Sequence, residues 1–170
     1  MILNKKDLRK ELLIKRDTLR DVSLSIVKDI VESNILDKFN IIGIYYPLKG
    51  EINLLSLLDK YKDKVFCFPK TSDEITFYAE NDLSNFSEAK FHVMEPNSKA
   101  FVERDRIECF LIPCVGITKD RQRIGYGKGY YDRYLEGYEG LKIGIIYKEL
   151  NNIDFKCDSD DLTLALIIEG

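Results

Sequence analysis

The sequence predicts a single α/β domain over residues 1–170: a mostly parallel sheet with helices on both faces. Three observations carry that expectation. Five segments read as buried strands: "IIGIYYP" (41–47), "KVFCFPK" (64–70), "IECFLIPCVGI" (107–117), "KIGIIY" (142–147) and "LTLALIIE" (162–169). Strands covered on both faces lose the polar–apolar alternation of a half-exposed sheet and become nearly continuous apolar runs. Segments of helical period lie among them, and alternating helices and strands assemble as a parallel sheet between helical layers. No repeat, linker or low-complexity stretch divides the 170 residues, and a 45% hydrophobic content is enough for one sizeable core.

The elements follow in order. Residues 4–17 form a helix whose apolar stripe is Leu8, Leu12 and Leu13, with Lys and Arg over the rest. Residues 23–37 form a second, with Leu24, Val27, Ile30, Val31 and Ile35 on one face. The run 41–47 is a strand stopped by Pro47, and 53–61 is a short helix capped by Asn53. Strands 64–70 and 75–79 follow, and then a polar, irregular stretch over 80–105 containing Pro96. After the strand at 107–117 comes a glycine-rich loop, a helix over 130–138, and the two closing strands. Ligands of such sheets bind beyond the carboxyl ends of the strands. Here those ends are Pro47 to Glu51, Pro69-Lys70, and Pro113 to Asp132.

Composition narrows the function. The formal net charge is −3, so the basic excess of a nucleic-acid binder is missing and any anionic ligand needs a local patch. Cys67, Cys109, Cys114 and Cys157 make no CxxC pair, and His92 is the one imidazole. These spacings do not suit zinc, so the cysteines are expected to be small buried hydrophobes in a reducing cytosol. The N-terminus becomes charged too early for a signal peptide, and no apolar run reaches the roughly 20 residues of a membrane span. A soluble, cytoplasmic protein is expected.

The local patch lies in "RIGYGKGYYDRY" (123–134), where Gly125, Gly127 and Gly129 alternate with other residues. Glycine accepts positive φ and lets another group come close, so a run of free backbone N–H groups can turn one way and hold a phosphate. The following helix adds its N-terminus, which attracts negative charge. Lys119, Arg121, Arg123, Lys128 and Arg133 supply cations. The spacing is neither GxGxxG nor a P-loop, because Gly127-Lys128 is followed by Gly129 rather than Ser or Thr. A purely structural turn would use the same glycines. Asp132 fits either a helix-dipole partner or a Mg²⁺ ligand beside phosphates, and Tyr126, Tyr130 and Tyr131 fit either core packing or stacking on a flat ligand. A non-catalytic nucleotide-binding module and an RNA platform of Tyr and Lys are alternatives; the acidic balance weighs against the second.

The stretch "LIPCVGITKDRQRIGYGKGYYDRYL" (111–135) resembles the C-terminal signature of 5-formyltetrahydrofolate cyclo-ligases, also called 5,10-methenyltetrahydrofolate synthetases. In that family a strand ending in proline leads through Phe-Asp-x-x-Gly-x-Arg-Leu-Gly into Gly-x-Gly-Tyr-Tyr-Asp. Arg123, Gly125, Gly127, Gly129, Tyr130, Tyr131 and Asp132 match. The likeness extends to Lys5 and Arg9 in the first helix, "YYPLKGEIN" (45–53), Pro69-Lys70 and Glu95-Pro96. Ile117-Thr118 stand in place of Phe-Asp, and Gln122 is taken as the residue replacing the turn glycine.

The resemblance implies an enzyme that closes 5-formyltetrahydrofolate to 5,10-methenyltetrahydrofolate with ATP and Mg²⁺, through a phosphorylated formyl group. It assigns the ATP to Lys5, Arg9, Arg123, Ile124, Gly125, Tyr126, Gly127, Lys128, Gly129, Tyr130 and Tyr131. It assigns catalysis to Lys128, Arg123 and Tyr126, and the folate to Tyr46, Glu51, Tyr126 and Tyr130. Mg²⁺ would sit on Asp132 and Asp161. The implied partners are the two small substrates, with no nucleic acid and no membrane, on a monomer.

Overall fold

The computed structural model describes residues 3–170. Helix α1 (Lys5–Asp17) starts at Asn4, whose side chain accepts the Asp7 N–H at 2.8 Å as an N-cap should. Helix α2 (Ser23–Glu32) ends five residues earlier than its apolar period suggests. Ser33 Oγ bonds back to the Ile30 carbonyl, and Asn34 turns left-handed at φ 57°, so the chain coils into turns instead. Strand β1 is only Ile41–Gly43. Beyond Ile44 the chain leaves the sheet, and Tyr45 Oη donates to the Ile52 carbonyl at 2.7 Å to shape the turn that follows. Helix α3 is likewise short (Leu57–Lys60), and Asn53 is not its cap. Its Oδ1 takes the Leu55 N–H two residues on, making an Asx-turn ahead of the helix.

Strands β2 (Val65–Thr71) and β3 (Ile75–Ala79) form an antiparallel hairpin. The stretch expected to be irregular contains a small separate hairpin of β4 (Phe86–Glu88) and β5 (Met94–Pro96), then β6 (Phe101–Val102) on the edge of the sheet. These strands are short and polar, so they carry no apolar run to betray them. Strand β7 (Cys109–Pro113) is wholly buried. Strands β8 (Gly116–Ile117) and β9 (Arg123–Ile124) pair outside the main sheet and flank the turn before the glycine loop. Helix α4 (Tyr130–Tyr134), β10 (Leu141–Ile146) and β11 (Leu166–Glu169) complete the chain.

The main sheet has seven strands in the order β11-β10-β7-β1-β2-β3-β6. All pairs from β11 to β2 are parallel, and β3 and β6 extend one edge in the antiparallel sense. Register sorts the two faces. Phe77 and Phe110 share one face, where Tyr134 of α4 stacks on Phe77 at 5.2 Å. The other face carries Ile143, Ile145, Leu166 and Ile168. In the same alternation, a side chain built on Gly170 would strike Ile26 of α2 at 2.9 Å. Helices therefore cover both faces, as expected. All four cysteines are buried and free, and no described helix is long and apolar enough to cross a membrane.

Candidate active site

The carboxyl ends of β1 and β7 open onto one region, and α1 lies across it. Lys5, Arg9, Leu12 and Arg16 are spaced i, i+4, i+7, i+11, so they share one helix face. Leu12 seats that face: a Cβ on Gly116 would meet its Cδ1 at 2.7 Å. The three cations on either side of Leu12 then reach different partners. Arg9 Nε donates to the Gly125 carbonyl, and its guanidinium lies so close to Gly127 that a Cβ there would sit 3.0 Å from Nη1. Lys5 pairs with Asp161 at 2.6 Å. Arg16 Nη1 donates to Tyr126 Oη at 3.0 Å, and its Nη2 donates to the Lys49 carbonyl at 3.2 Å.

The glycine loop is shaped as its sequence suggests. Gly127 and Gly129 take φ of 102° and 69°, a region that side chains with a Cβ rarely enter, and α4 begins directly after. Arg133 braces the turn by donating Nη1 to the Lys128 carbonyl at 2.8 Å while its Nε faces Glu74. Tyr130 Oη donates to the Ser72 carbonyl at 2.8 Å, so the loop is tied to the β2–β3 hairpin on that side. Lys128 projects outward, its Nζ 4.3 Å from the centre of the Phe91 ring. Phe91 is 77% exposed and, with His92, adopts positive φ at the tip of the β4–β5 hairpin.

Other expected residues lie deeper. Arg123 is buried, donates Nε to the Pro113 carbonyl at 2.7 Å, and lies 4.8 Å over the Tyr131 ring. It braces the loop from beneath. Ile124 is fully buried and pairs through its backbone with Val115. Burial also pushes the Tyr131 hydroxyl well above its ordinary range. Tyr46 packs against Phe86 at 5.2 Å.

Glu51 follows Gly50, which turns at φ 86°. Its Oε1 accepts the Leu48 N–H at 2.7 Å, and its Oε2 accepts the Tyr126 hydroxyl at 3.2 Å. Burial raises its pKa; the Leu48 bond, the Arg16 charge and the Tyr126 bond oppose that rise. Burial likewise pushes the Tyr126 phenol up to about 12, with the Glu51 charge adding to the shift. A small cavity of about 10 Å³, about the room one water needs, lies between Arg16, Tyr45, Glu51, Pro113 and Cys114.

Asp132 Oδ1 accepts the N–H of Leu162, at 2.8 Å, which brings it beside Asp161. Among the described residues Asp132 Oδ2 has no hydrogen-bond partner, and no three His, Cys, Asp or Glu side chains cluster. Mg²⁺ needs only one or two carboxylates when phosphate and water complete its shell, so Asp132 Oδ2 fits such a metal as it stands, whereas Asp161 Oδ2 is held by Lys5 at 2.6 Å and by the Asp158 N–H at 3.0 Å.

The turn before the loop corrects one expectation. Arg121, not Gln122, takes the left-handed conformation, at φ 65°. It lies two residues before Arg123, the spacing of the glycine in the family pattern. Thr118 accepts the Gln122 N–H through Oγ1 at 3.1 Å, as an aspartate there could. Gln122 instead pairs with Thr163 and donates Nε2 to the Asp158 carbonyl at 2.9 Å. Arg16 and Phe91 were not anticipated. Arg16 lies seven residues after Arg9, two helical turns along the same face, and that spacing was the available signal. Phe91 sits in a polar stretch with no comparable cue.

The sequence profile of the 5-formyltetrahydrofolate cyclo-ligase family matches residues 2–154. A 5-formyltetrahydrofolate cyclo-ligase of Mycoplasma genitalium is 32% identical, with 98% of each chain covered. One from Mycoplasma pneumoniae is 33% identical over the same shares. Among solved structures, the 5,10-methenyltetrahydrofolate synthetase of Aquifex aeolicus superposes with a TM-score of 0.87 at 28% identity, covering 98% of this chain and 90% of that one. The Mycoplasma pneumoniae synthetase superposes at 0.78 with 32% identity and 98% of both chains.

Proposed function

The chain belongs to the 5-formyltetrahydrofolate cyclo-ligase family, a family of ligases, and on that premise we propose that it closes 5-formyltetrahydrofolate to 5,10-methenyltetrahydrofolate while ATP is split to ADP and phosphate. One observation carries the reading. The glycine loop, held by Arg9 through the Gly125 carbonyl, donates its Tyr126 hydroxyl to Glu51, so the proposed phosphate-binding loop and the proposed pterin acceptor are joined by a hydrogen bond.

The chemistry explains why two such halves adjoin. A formyl amide is a poor electrophile with a poor leaving group. Its oxygen attacks the γ-phosphorus of ATP, the bond to ADP breaks, and the carbon becomes an iminium bearing phosphate. The folate N10 then attacks that carbon, the carbon–oxygen bond breaks, phosphate leaves and the N10 proton passes to solvent. The enzyme's work is to hold two substrates in line and neutralise moving charge.

Arg9 and the backbone N–H groups of Gly125 to Tyr131 hold the triphosphate, with Lys128 nearest the transferred group. Lys5 exchanges Asp161 for phosphate when nucleotide enters. Asp132 and Asp161 would hold Mg²⁺, which would supply neutralising charge to the phosphates. Glu51 accepts the paired N–H donors of the pterin, whose rings lie against Tyr46, Tyr126 and Tyr130. We take the protein to act as a monomer in the cytoplasm, where the four free thiols would stay reduced.

Methenyltetrahydrofolate absorbance should grow from 5-formyltetrahydrofolate only with ATP and Mg²⁺, with ADP released in equal amount. Heavy-oxygen label in the formyl group should appear in inorganic phosphate. Label recovered in water would overturn the phosphorylated intermediate, and no turnover at all would overturn the activity.

A further inference from the structure

We infer that Arg16 is a positioning residue for the folate half of the site: it acts through the Tyr126 hydroxyl to keep Glu51 a fixed, ionised acceptor. The inference rests on the reading that Glu51 receives the pterin.

The geometry leaves little choice of direction. Arg16 is only 7% exposed, and a guanidinium can donate but never accept. Its Nη1 therefore makes the Tyr126 oxygen an acceptor at 3.0 Å, which turns the phenolic proton toward Glu51 Oε2, 3.2 Å away. The Leu48 N–H holds Oε1 from the other side at 2.7 Å. Both carboxylate oxygens are thus fixed by donors, and each retains a lone pair for a ligand.

The clasp is built into the backbone. The Arg16 Nη2 bond to the Lys49 carbonyl, 3.2 Å, binds the guanidinium to the turn that carries Glu51. Gly50 lets it lie there: a Cβ at that position would sit 3.0 Å from Arg16 Nε. That Nε is buried and has no protein partner, and Arg16 and Glu51 line the same cavity.

The groups facing Glu51 are Arg16 from α1, Arg123 and Tyr126 from the β9–glycine segment, Tyr131 from α4, Tyr45 after β1 and Cys114 after β7. Only the two guanidiniums are charged at neutral pH. Burial favours a protonated Glu51, and Arg16 opposes it both directly and through Tyr126. Without Arg16 the carboxyl protonates at higher pH and the Tyr126 proton is free to point elsewhere. A bond that merely secured α1 would have neither effect.

The test compares wild type with Arg16→Met, Arg16→Lys, Tyr126→Phe and the Arg16→Met/Tyr126→Phe double variant. Calorimetric binding of 5-formyltetrahydrofolate without ATP is measured beside steady-state kinetics across pH. Arg16→Met should weaken folate binding roughly tenfold while KM for ATP stays within about twofold. The acid limb of kcat/KM for folate should move up by about one pH unit, because Glu51 then protonates sooner. Arg16→Lys, which keeps the charge, should return the limb toward its wild-type position without full affinity. The double variant should bind no more weakly than Arg16→Met, as expected of groups acting in series. Wild-type turnover with an unmoved limb in Arg16→Met, or additive losses in the double variant, would overturn this inference alone. If Arg16→Met does not fold, an affinity unchanged in both Arg16→Lys and Tyr126→Phe has the same force. A wild type that neither binds nor converts the folate would remove the functional reading and this inference with it.

Discussion

Asp132 shows how one side chain can serve the fold and the chemistry with different atoms. Oδ1 accepts the Leu162 N–H and secures the segment that carries Asp161, while the Mg²⁺ we propose would take Oδ2. Asparagine keeps a carbonyl oxygen for Leu162 but removes the charge. Asp132→Asn should therefore unfold at nearly the wild-type denaturant concentration yet require several-fold more Mg²⁺ for half-maximal turnover. Asp132→Ala leaves the Leu162 N–H without its acceptor and should also lose about 1 kcal/mol of stability. A magnesium titration unchanged in Asp132→Asn would leave only the structural role.

At the scale of elements, the sequence is legible where burial writes a pattern and illegible where hydrogen bonds do the shaping. Strands β2, β3, β7 and β10 lie where their apolar runs place them, because a buried strand must exclude polar residues. Helix α2 stops early because of Ser33 and Asn34, and Asn53 folds an Asx-turn, both local bonds that period alone does not reveal. The β4–β5 hairpin that presents Phe91 lies in polar sequence and left no trace. The glycine loop was legible because alternating glycines have few uses, whereas Arg16 was hidden among the other cations of α1. The β8–β9 turn gives a sharp check on this distinction. Arg121 holds positive φ, so Arg121→Gly removes roughly 1 kcal/mol of backbone strain, against which stands its exposed bond to the Ala165 carbonyl. Gln122 is extended and bonded to Asp158, so Gln122→Gly gains nothing and loses a bond and backbone order. Arg121→Gly should leave the urea midpoint unchanged or raised, and Gln122→Gly should lower it by the equivalent of about 1–2 kcal/mol. Equal losses in both would show that the left-handed residue has been misplaced.

At the scale of the whole molecule, the core holds several buried thiols and phenols, and they shift the same way. Burial raises Cys67 and Cys109 from 9.0 to about 12, and Cys114 and Cys157 to about 11. Tyr45, Tyr131, Tyr134 and Tyr138 are raised as well, again chiefly by burial. Each such group stays protonated in the folded protein while it ionises in the unfolded chain. Folding therefore binds more protons than unfolding, and stability falls as pH rises. The contribution is intact below the unfolded thiol value of 9.0 and is lost progressively toward the folded values of about 11 to 12. One unit above the unfolded value, a fully buried thiol costs the fold roughly 1 kcal/mol, and Cys67 and Cys109 are both fully buried. Urea midpoints should thus be level from pH 7 to about 8.5 and decline steeply from pH 9 upward. Cys67→Ala should flatten the decline while lowering stability at neutral pH, since it exchanges an ionisable buried group for a small cavity. Thiol-specific reagents should react at pH 8 only as fast as the protein opens, accelerating with urea. A midpoint still level at pH 10, or thiols that react freely in the native protein, would show that these groups are not sealed in the core as the structure places them.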